Sequence, residues 1–289
     1  MNDPLLKALG AADSAGYTGS GKNQILSIEL SLDGFSFGIF DSRNMKPLLI
    51  ESYQIQDDLT PEHLAGSIHE LVIKSTTLLL PFEKVHMAWY HQQYTLVPNE
   101  LYLPSAKDKF HSLCTNSPEG HIVNSDELTN LYAYGLYPFP EVLNHKLRIL
   151  YPNIVIKHLA TVLIEYVLKS LKIEKDGHSV FMHIRSRTFE ILIFNYKRLI
   201  FYNSFSYQGI DDLMYYLFYV LEQYKLDTAN MIAFLGGEIN ANSPVLHHLT
   251  KYFREISIAP EYLASIPHDK FEQVPKHVYQ NLVNLAICE

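Results

Sequence analysis

Three groups of residues have types and spacings that could contact a ligand. Residues 16–23, Gly-Tyr-Thr-Gly-Ser-Gly-Lys-Asn, nearly match a phosphate-binding loop, but Asn23 stands where the pattern requires Ser or Thr as a magnesium ligand. Arg185 and Arg187 could hold an anion between two guanidinium groups. Gly236 and Gly237 follow a short apolar run, and glycines let a ligand approach the backbone closely.

The phosphate-loop pattern at residues 16–23 lacks the structural context that it needs. Such a loop joins a strand to a helix, whereas here no strand pattern precedes it and one follows it. Residues 1–23 are also rich in Gly, Ala and Ser, which leaves little apolar surface to offset the cost of ordering. We therefore predict a flexible N-terminal tail over residues 1–23.

The histidines and cysteines indicate neither a metal site nor a nucleophile. His247 and His248 are adjacent, so on a helix they point about 100° apart. A group of His268, Asp269 and His277 does not match the ligand spacings that zinc uses. Cys114 has no nearby His motif, and no Gly-x-Ser-x-Gly elbow is present. We expect no catalytic residue and no metal ligand from these patterns.

Two similar sets of elements would position the remaining candidates. Alternating apolar residues predict strands over 25–32, 35–40 and 47–55, with a turn at Asp33-Gly34, then a helix from Thr60-Pro61 to about Leu80. A second run predicts strands over 178–184, 188–195 and 198–206. A helix over about 209–224, apolar nearly all round and so expected to be buried, and a strand over 231–235 follow.

The two sets align with each other, which indicates an internal duplication. Residues 28–33, Ile-Glu-Leu-Ser-Leu-Asp, lie over residues 182–187, Met-His-Ile-Arg-Ser-Arg, at a nearly constant offset. We predict a first lobe over 24–175, with a proline-punctuated irregular insertion around 98–150, and a second lobe over 176–289. In the insertion, an aromatic cluster of Tyr132, Tyr134, Tyr137 and Phe139 suits either core packing or a partner-binding surface.

Composition narrows the classes of function. The chain has 289 residues and is 47% hydrophobic, which supports a sizeable core. Its formal net charge of −8 argues against nucleic-acid binding. It contains two cysteines and has neither an apolar run of about 18 residues nor a signal-peptide pattern. These features predict a cytoplasmic protein that does not bind a membrane.

The two-lobed plan resembles the actin-like ATPase superfamily of actin, Hsp70-type chaperones and sugar kinases. More narrowly, the sequence is similar to an uncharacterised bacterial family, a domain of unknown function on that fold, through residues 26–37, 199–205 and 235–238. The resemblance implies an α/β, two-lobed actin-like ATPase (ribonuclease H-like) fold, with duplicated mixed sheets flanked by helices.

The resemblance also locates the positions that match the superfamily's nucleotide site. Active members carry Asp-x-Gly in two strand-turn loops, where Asp orders magnesium and Gly lets backbone N–H groups approach phosphate. Here Glu29 and Ser31 occupy the first pair, and His183 and Arg185 the second. The segment that ends in Gly236-Gly237 resembles the adenosine loop, although it equally suits a plain chain reversal.

Two hypotheses about function follow. Because both phosphate loops are altered, the leading one is a non-catalytic pseudo-ATPase, without cofactor, that serves as an interaction or assembly module for another protein. The alternative is a divergent ATPase or kinase that binds ATP and magnesium. We also expect Arg185 and Arg187 to bind an anion weakly in the cleft between the lobes.

Overall fold

The structure is a computed structural model that describes residues 5–7, 19–31, 34–55, 60–170, 177–239, 242–258 and 280–287. Several predicted features lie outside these residues: Asp33 of the first hairpin turn, Lys175-Asp176 of the lobe boundary, and the group of His268, Asp269 and His277.

The described elements are fourteen strands and seven α-helices. The strands are β1 (Leu5–Lys7), β2 (Gln24–Leu30), β3 (Gly34–Asp41), β4 (Pro47–Ile55), β5 (Lys84–Trp89), β6 (Thr95–Pro98), β7 (His121–Leu128), β8 (Ala133–Pro140), β9 (Val155–His158), β10 (His178–Ile184), β11 (Thr188–Asn195), β12 (Arg198–Ser206), β13 (Ile232–Gly237) and β14 (Glu255–Ile258). The helices are α1 (Pro61–Lys74), α2 (Lys107–Cys114), α3 (Glu141–Leu150), α4 (Leu159–Ser170), α5 (Ile210–Gln223), α6 (Pro244–Leu249) and α7 (Gln280–Ile287).

The five strands of the second mixed sheet have the same order as five of the six strands of the first, as the sequence predicts. The first runs β1-β4-β3-β2-β5-β9 and the second β12-β11-β10-β13-β14. In each sheet the three-stranded meander is antiparallel, and the next two strands pair in parallel. The pairing register shifts at the same place in both meanders, after Ile39 in β3 and after Ile193 in β11.

Strand alternation explains how each sheet acquires a core. In β2, the side chains of Leu26, Ile28 and Leu30 belong to one buried apolar cluster, while Ser27 and Glu29 point to the other face. In β10, the side chains of Val180, Met182 and Ile184 belong to a separate buried apolar cluster. Burial of these large side chains, at about 1.5–3 kcal/mol each, stabilises each sheet against its helices.

Helix α1 begins where the sequence predicts and ends earlier. The side chain of Thr60 accepts a hydrogen bond from the backbone N–H of His63, and Pro61 occupies the first helical position. The helix stops at Lys74 instead of Leu80. Ser75 ends it, because the Ser75 hydroxyl accepts from the N–H of Leu78 and so offers the backbone a turn in place of the next helical bond.

The prediction of an irregular insertion around 98–150 is wrong. These residues include β7, β8, α2 and α3, and β6, β8 and β7 form a three-stranded antiparallel sheet. The prolines hid this sheet, because Pro normally argues against a strand. Pro138 and Pro140 lie in β8 beyond Leu136, where β8 pairs with β7 alone and has an edge that needs no donor.

Helix α5 is not apolar on all sides. Its buried stripe consists of Leu213, Leu217, Val220 and Leu221, whereas Tyr215 and Tyr219 are exposed. The expectation of a fully buried helix fails because a tyrosine counts as apolar in a sequence pattern, although its hydroxyl group lets it lie in water.

The chain ends also differ from the predicted division. Within the predicted tail, Leu5–Lys7 pairs antiparallel with residues 53–55 of β4, so these three residues are a strand. Contacts divide the chain into two compact units, the first reaching Leu163 and the second starting at Ile164, within α4. Helix α7, from Asn281 on, groups with the first unit, whereas a division by chain order placed it in the second lobe.

Candidate functional site

The phosphate-loop pattern near the N-terminus forms a turn, so far as it is described. Gly21 has φ +77°, and its N–H donates to Gln24 Oε1 over 3.1 Å. The strand β2 begins at Gln24, directly after the turn, so no helix follows the pattern. A phosphate loop requires a helix N-terminus at this point, because the helix supplies the N–H groups that bind the anion.

Glu29 and Ser31 lie at the end of β2, where the first hairpin turns. Glu29 is half-buried, and its Oε2 accepts a hydrogen bond from Asn281 Nδ2 of α7 over 3.1 Å. Ser31 is buried, and both its N–H and its hydroxyl donate to Gly34 O, at 2.9 and 3.2 Å. The Ser31 side chain therefore closes the hairpin.

His183 and Arg185 occupy the equivalent places at the end of β10. His183 is buried, and its Nδ1 lies 2.9 Å from Oε2 of Glu190, a residue with no exposed surface. The N–H of Arg185 donates to Thr188 O over 2.9 Å, the same closing bond that Ser31 makes with Gly34. Arg185 is buried and Arg187 is exposed, so the turn places the two side chains in different environments.

Glu29 and His183 each belong to a row of side chains across a meander. In the first sheet, Glu29 pairs in register with Ser36 and Ser36 with Ser52, and the two serine hydroxyls are 2.8 Å apart. In the second sheet, His183 pairs with Glu190 and Glu190 with Ser204. We call these sets the Glu29 row and the His183 row. In the Glu29 row the carboxylate lies on β2, the first strand of its meander, whereas in the His183 row it lies on β11, the second strand.

Gly236 and Gly237 extend β13 and do not end it at Leu235 as predicted. Gly236 pairs in register with His183, and a Cβ on it would lie 3.1 Å from Phe181 Cζ. Gly237 has φ +85°, and a Cβ there would lie 2.1 Å from Ile184 O. Close packing of β13 against the β10 backbone therefore requires Gly237, whereas a Cβ on Gly236 would meet side chains of β10.

A buried polar network in the first unit was missed by the sequence analysis. Asp126 in β7 accepts hydrogen bonds from Tyr137 Oη at 2.9 Å, from the N–H of His158 at 2.6 Å and from Thr161 Oγ1 at 2.7 Å. His158 Nδ1 in turn accepts from the N–H of Ala160, which places the imidazole over the first turn of α4. No sequence signal joins these residues, because they come from separate elements.

Burial shifts the pKa values of the ionisable groups in and beside this network. It raises the pKa of Asp126 to about 6, against the lowering effect of the hydrogen bonds that the carboxylate accepts. It lowers the pKa of His158 to about 3. Burial, assisted by the nearby His121, lowers the pKa of His91 to about 4. Burial therefore holds both imidazoles neutral at pH 7, and the bond between Asp126 and Thr161 anchors the insertion to α4.

The predicted aromatic cluster in the insertion divides in two. Tyr137 and Phe139 are fully buried, as core packing predicts. Tyr134 is half-buried and stacks on Tyr102, with ring centroids 3.7 Å apart. Tyr132, at the turn between β7 and β8, is 75% exposed. Sequence reasoning could not separate these roles because all four residues are aromatic.

The described residues contain neither a cluster of possible metal ligands nor a helix that could span a membrane. No group of three His, Cys, Asp or Glu side chains there has a geometry that could hold a metal ion. No described helix is both long and apolar enough to cross a membrane.

Comparison with known proteins identifies the family. Residues 15–256 match the model of the family described as "Protein of unknown function (DUF3822)". The chain belongs to this family. The search of curated proteins finds no match to this DUF3822 chain.

Two solved structures share the fold of the DUF3822 chain. One is a Bacteroides thetaiotaomicron protein with an actin-like ATPase fold and unknown function. It is 21% identical, with a TM-score of 0.77, and the match covers 93% of this chain and 97% of that chain. The other is from a PilM–PilN type IV pilus biogenesis complex. It is 12% identical, with a TM-score of 0.64, covering 91% of this chain and 97% of that chain. The predicted fold and family are thereby confirmed.

Proposed function

We propose that this protein is a non-catalytic member of the actin-like superfamily that acts as an interaction or assembly module for another protein. The observation that supports this most is the pairing of His183 with Glu190. His183 stands where active members carry a metal-ordering Asp. Its imidazole is engaged with a carboxylate that has no exposed surface, so this pair is arranged for internal contact.

The side chains at the candidate nucleotide site do not suit magnesium and ATP. Magnesium prefers an octahedral set of oxygen ligands, whereas the second loop offers an imidazole and a guanidinium group. In the first loop, the single carboxylate of Glu29 already accepts a hydrogen bond from Asn281. A Cβ built on Gly236 would lie 3.1 Å from Phe181 Cζ, so the Phe181 ring already occupies the space where a nucleotide would meet Gly236. We derive no catalytic step through these groups.

A role in protein association is consistent with one structure of the same fold. The PilM–PilN structure is described as a type IV pilus biogenesis complex. At 12% identity this likeness concerns the fold alone, and we do not infer the same partner. We further infer that the two sheets arose by duplication, since even their register shifts coincide. A cytoplasmic location and weak anion binding at Arg185 and Arg187 stay predictions.

Calorimetric titration and a phosphate-release assay with magnesium and ATP test this proposal. We expect no binding heat and no hydrolysis above background, in the native protein and in a variant carrying Glu29→Asp and Ser31→Gly. The variant restores one loop, while His183 and Arg185 remain. Turnover of about 1 per second, an ordinary enzymatic value, would establish the ATPase alternative instead.

The interaction role needs its own measurement. The tagged native protein, returned to its own cells, should retain a defined protein on affinity capture, with the yield unchanged by added ATP. A matched tagged protein of the same size supplies the background. Capture that appears only with ATP would contradict a nucleotide-independent module.

A further inference from the structure

The outer face of helix α5 combines tyrosines with carboxylates. At about 100° per residue, Asp211, Tyr215, Tyr219 and Glu222 fall within an arc of about 80°, opposite the buried stripe of the helix. Tyr215 and Tyr219 are 64% and 50% exposed, and their rings stack with centroids 6.1 Å apart. This face therefore presents two tyrosine rings along the helix between two carboxylates.

A cavity of about 480 Å³ lies at the C-terminal end of α5, beside this face. It is lined by the apolar side chains of Phe218, Leu221 and Leu226 and by two residues that carry carboxylates, Glu222 and Asp227. Arginine and lysine side chains combine an apolar stem with a cationic head, so they suit a cavity with both kinds of lining. A volume of this size is sufficient for one such side chain.

The charge of the α5 surface favours a cationic partner. Residues 208–230 include four carboxylates and a single cationic side chain, Lys225. In the part of the chain that the structure describes, neither Asp211 nor Glu222 forms an ion pair. A second copy of this chain would bring the same acidic face, and a nucleic acid would bring phosphates, so both would be repelled.

We propose that the outer face of α5 binds a basic, arginine-containing segment of another protein. A guanidinium group is planar, stacks on an aromatic ring and forms two parallel hydrogen bonds with a carboxylate, so tyrosines next to carboxylates suit arginine better than lysine. The inference rests on the proposed function, because it names the chemistry of the partner and the surface that receives it.

The spacing of the carboxylates sets the spacing of the arginines. Asp211 and Glu222 are eleven positions apart in α5, which is about 16 Å along the helix axis. Five residues of an extended chain cover the same distance. We therefore expect two arginines five positions apart in the partner, one at each end of the tyrosine pair.

Lys225 allows a test in which the sign of the effect is decisive. It also lines the cavity, so its charge opposes a cationic ligand there. Its backbone has φ +54°, which asparagine tolerates, so Lys225→Asn removes the charge without straining the chain. This variant should bind a basic peptide about two- to fivefold more tightly. Loss of structure would weaken binding instead.

Fluorescence anisotropy of the full chain with a labelled peptide, Arg-Ser-Leu-Ser-Ser-Arg, tests the surface. We expect binding that weakens as the salt concentration rises from about 50 to about 200 mM. The matched peptide with Glu in place of both Arg should bind at least about tenfold more weakly, and the one with Lys should be intermediate.

Variants on the α5 face locate the binding. Glu222→Gln and Tyr219→Ala should each raise the dissociation constant of the Arg peptide about three- to tenfold. Glu141→Gln, which removes an exposed carboxylate from α3 of the first unit, is the matched control and should have no effect. No binding of the Arg peptide, equal affinity for the Arg and Glu peptides, or equal effects of the two Gln variants would overturn the proposal.

Affinity capture from the native cells separates this inference from the proposed function. The double variant Tyr215→Ala and Glu222→Gln should lose the protein that the native chain retains. If the double variant still retains it, the α5 surface is wrong and the interaction role stands. If the native chain retains no protein, the proposed function fails and the naming of a partner fails with it, whatever the peptide shows.

Discussion

The Glu29 row and the His183 row stand at the same place in two sheets of the same order, yet they contain different chemistry. The Glu29 row joins a half-buried carboxylate to two serines, and the carboxylate takes a hydrogen bond from Asn281 of α7. The His183 row places an imidazole and a carboxylate together where neither is exposed to water. The same strand order therefore accommodates either a half-buried polar row or a buried ionisable pair, His183 with Glu190.

The strand that follows each row shows the same divergence. Opposite Glu29 and Leu30, β5 carries Ala88 and Trp89, and the Trp89 indole donates to Pro138 O in the insertion. Opposite His183 and Ile184, β13 carries Gly236 and Gly237. The first sheet thus uses this strand end to hold the insertion, while the second uses it for close backbone packing. We conclude that backbone topology alone does not determine what the row does.

The largest effect is expected at His183. His183→Ala leaves the carboxylate of Glu190 buried without its imidazole partner, which should lower the free energy of unfolding by about 3–5 kcal/mol. Urea denaturation measures this change. The double variant His183→Leu and Glu190→Leu removes both polar groups and should recover most of the loss. If the double variant is as unstable as the single one, the sealed pair does not account for the cost.

Gly237 should show the next largest effect. Gly237→Ala combines a backbone at φ +85° with a Cβ placed 2.1 Å from Ile184 O, so we expect a loss of about 2–4 kcal/mol from conformational strain and overpacking. Gly34→Ala is the matched control, because its nearest atom is 3.7 Å away, and it should change stability by less than about 0.5 kcal/mol. Equal losses in a thermal melt would mean that close packing does not explain Gly237.

The two units should also differ in their response to acid, through the network of the first unit. His158 and His91 have folded pKa values of about 3 and 4, below the usual 6.5, so unfolding takes up their protons and stability falls as pH drops below 6.5. Asp126 has a folded pKa of about 6, above its usual 3.8, so it opposes this trend as pH falls from about 6.

Between about pH 6 and 4 these groups give a net slope of about 1.4 kcal/mol per pH unit, from two histidines against one carboxyl group. His158→Asn should lower this slope by about 1.4 kcal/mol per pH unit, and Asp126→Asn should raise it by the same amount. Denaturant unfolding at several pH values measures both. His145→Asn, at an exposed residue of α3, is the control. Identical slopes in all four proteins would contradict the assignment.

The smallest effect is expected in the Glu29 row. Ser36→Ala removes one partner of the hydroxyl pair with Ser52, and because both residues are half-buried the loss should be only about 0.5–1.5 kcal/mol. Adding Ser52→Ala should cost little more, because the bond is already lost. A loss as large as that of His183→Ala would remove the distinction between the two rows.

Much of the fold follows from local pattern. The strands of the second meander, His178–Ile184, Thr188–Asn195 and Arg198–Ser206, have the predicted bounds, because a period of two with turn residues between runs is a short-range signal. The insertion sheet was missed because Pro normally argues against a strand, whereas here the prolines lie at a sheet edge that tolerates them. Helix α7 was missed because Asn281 and Asn284 weaken its helical signal.

The sequence by itself determined the two meanders, their equivalence and the positions of Glu29, Ser31, His183 and Arg185, because strand period and turn chemistry are local properties. Register arithmetic across the Ser186-Arg187 turn could also have paired His183 with Glu190. Only the tertiary structure decided that this pair is sealed, that Asn281 meets Glu29, and that Asp126 lies beside His158 and Thr161. Burial and contacts between distant segments depend on how elements pack, and no spacing along the chain encodes them.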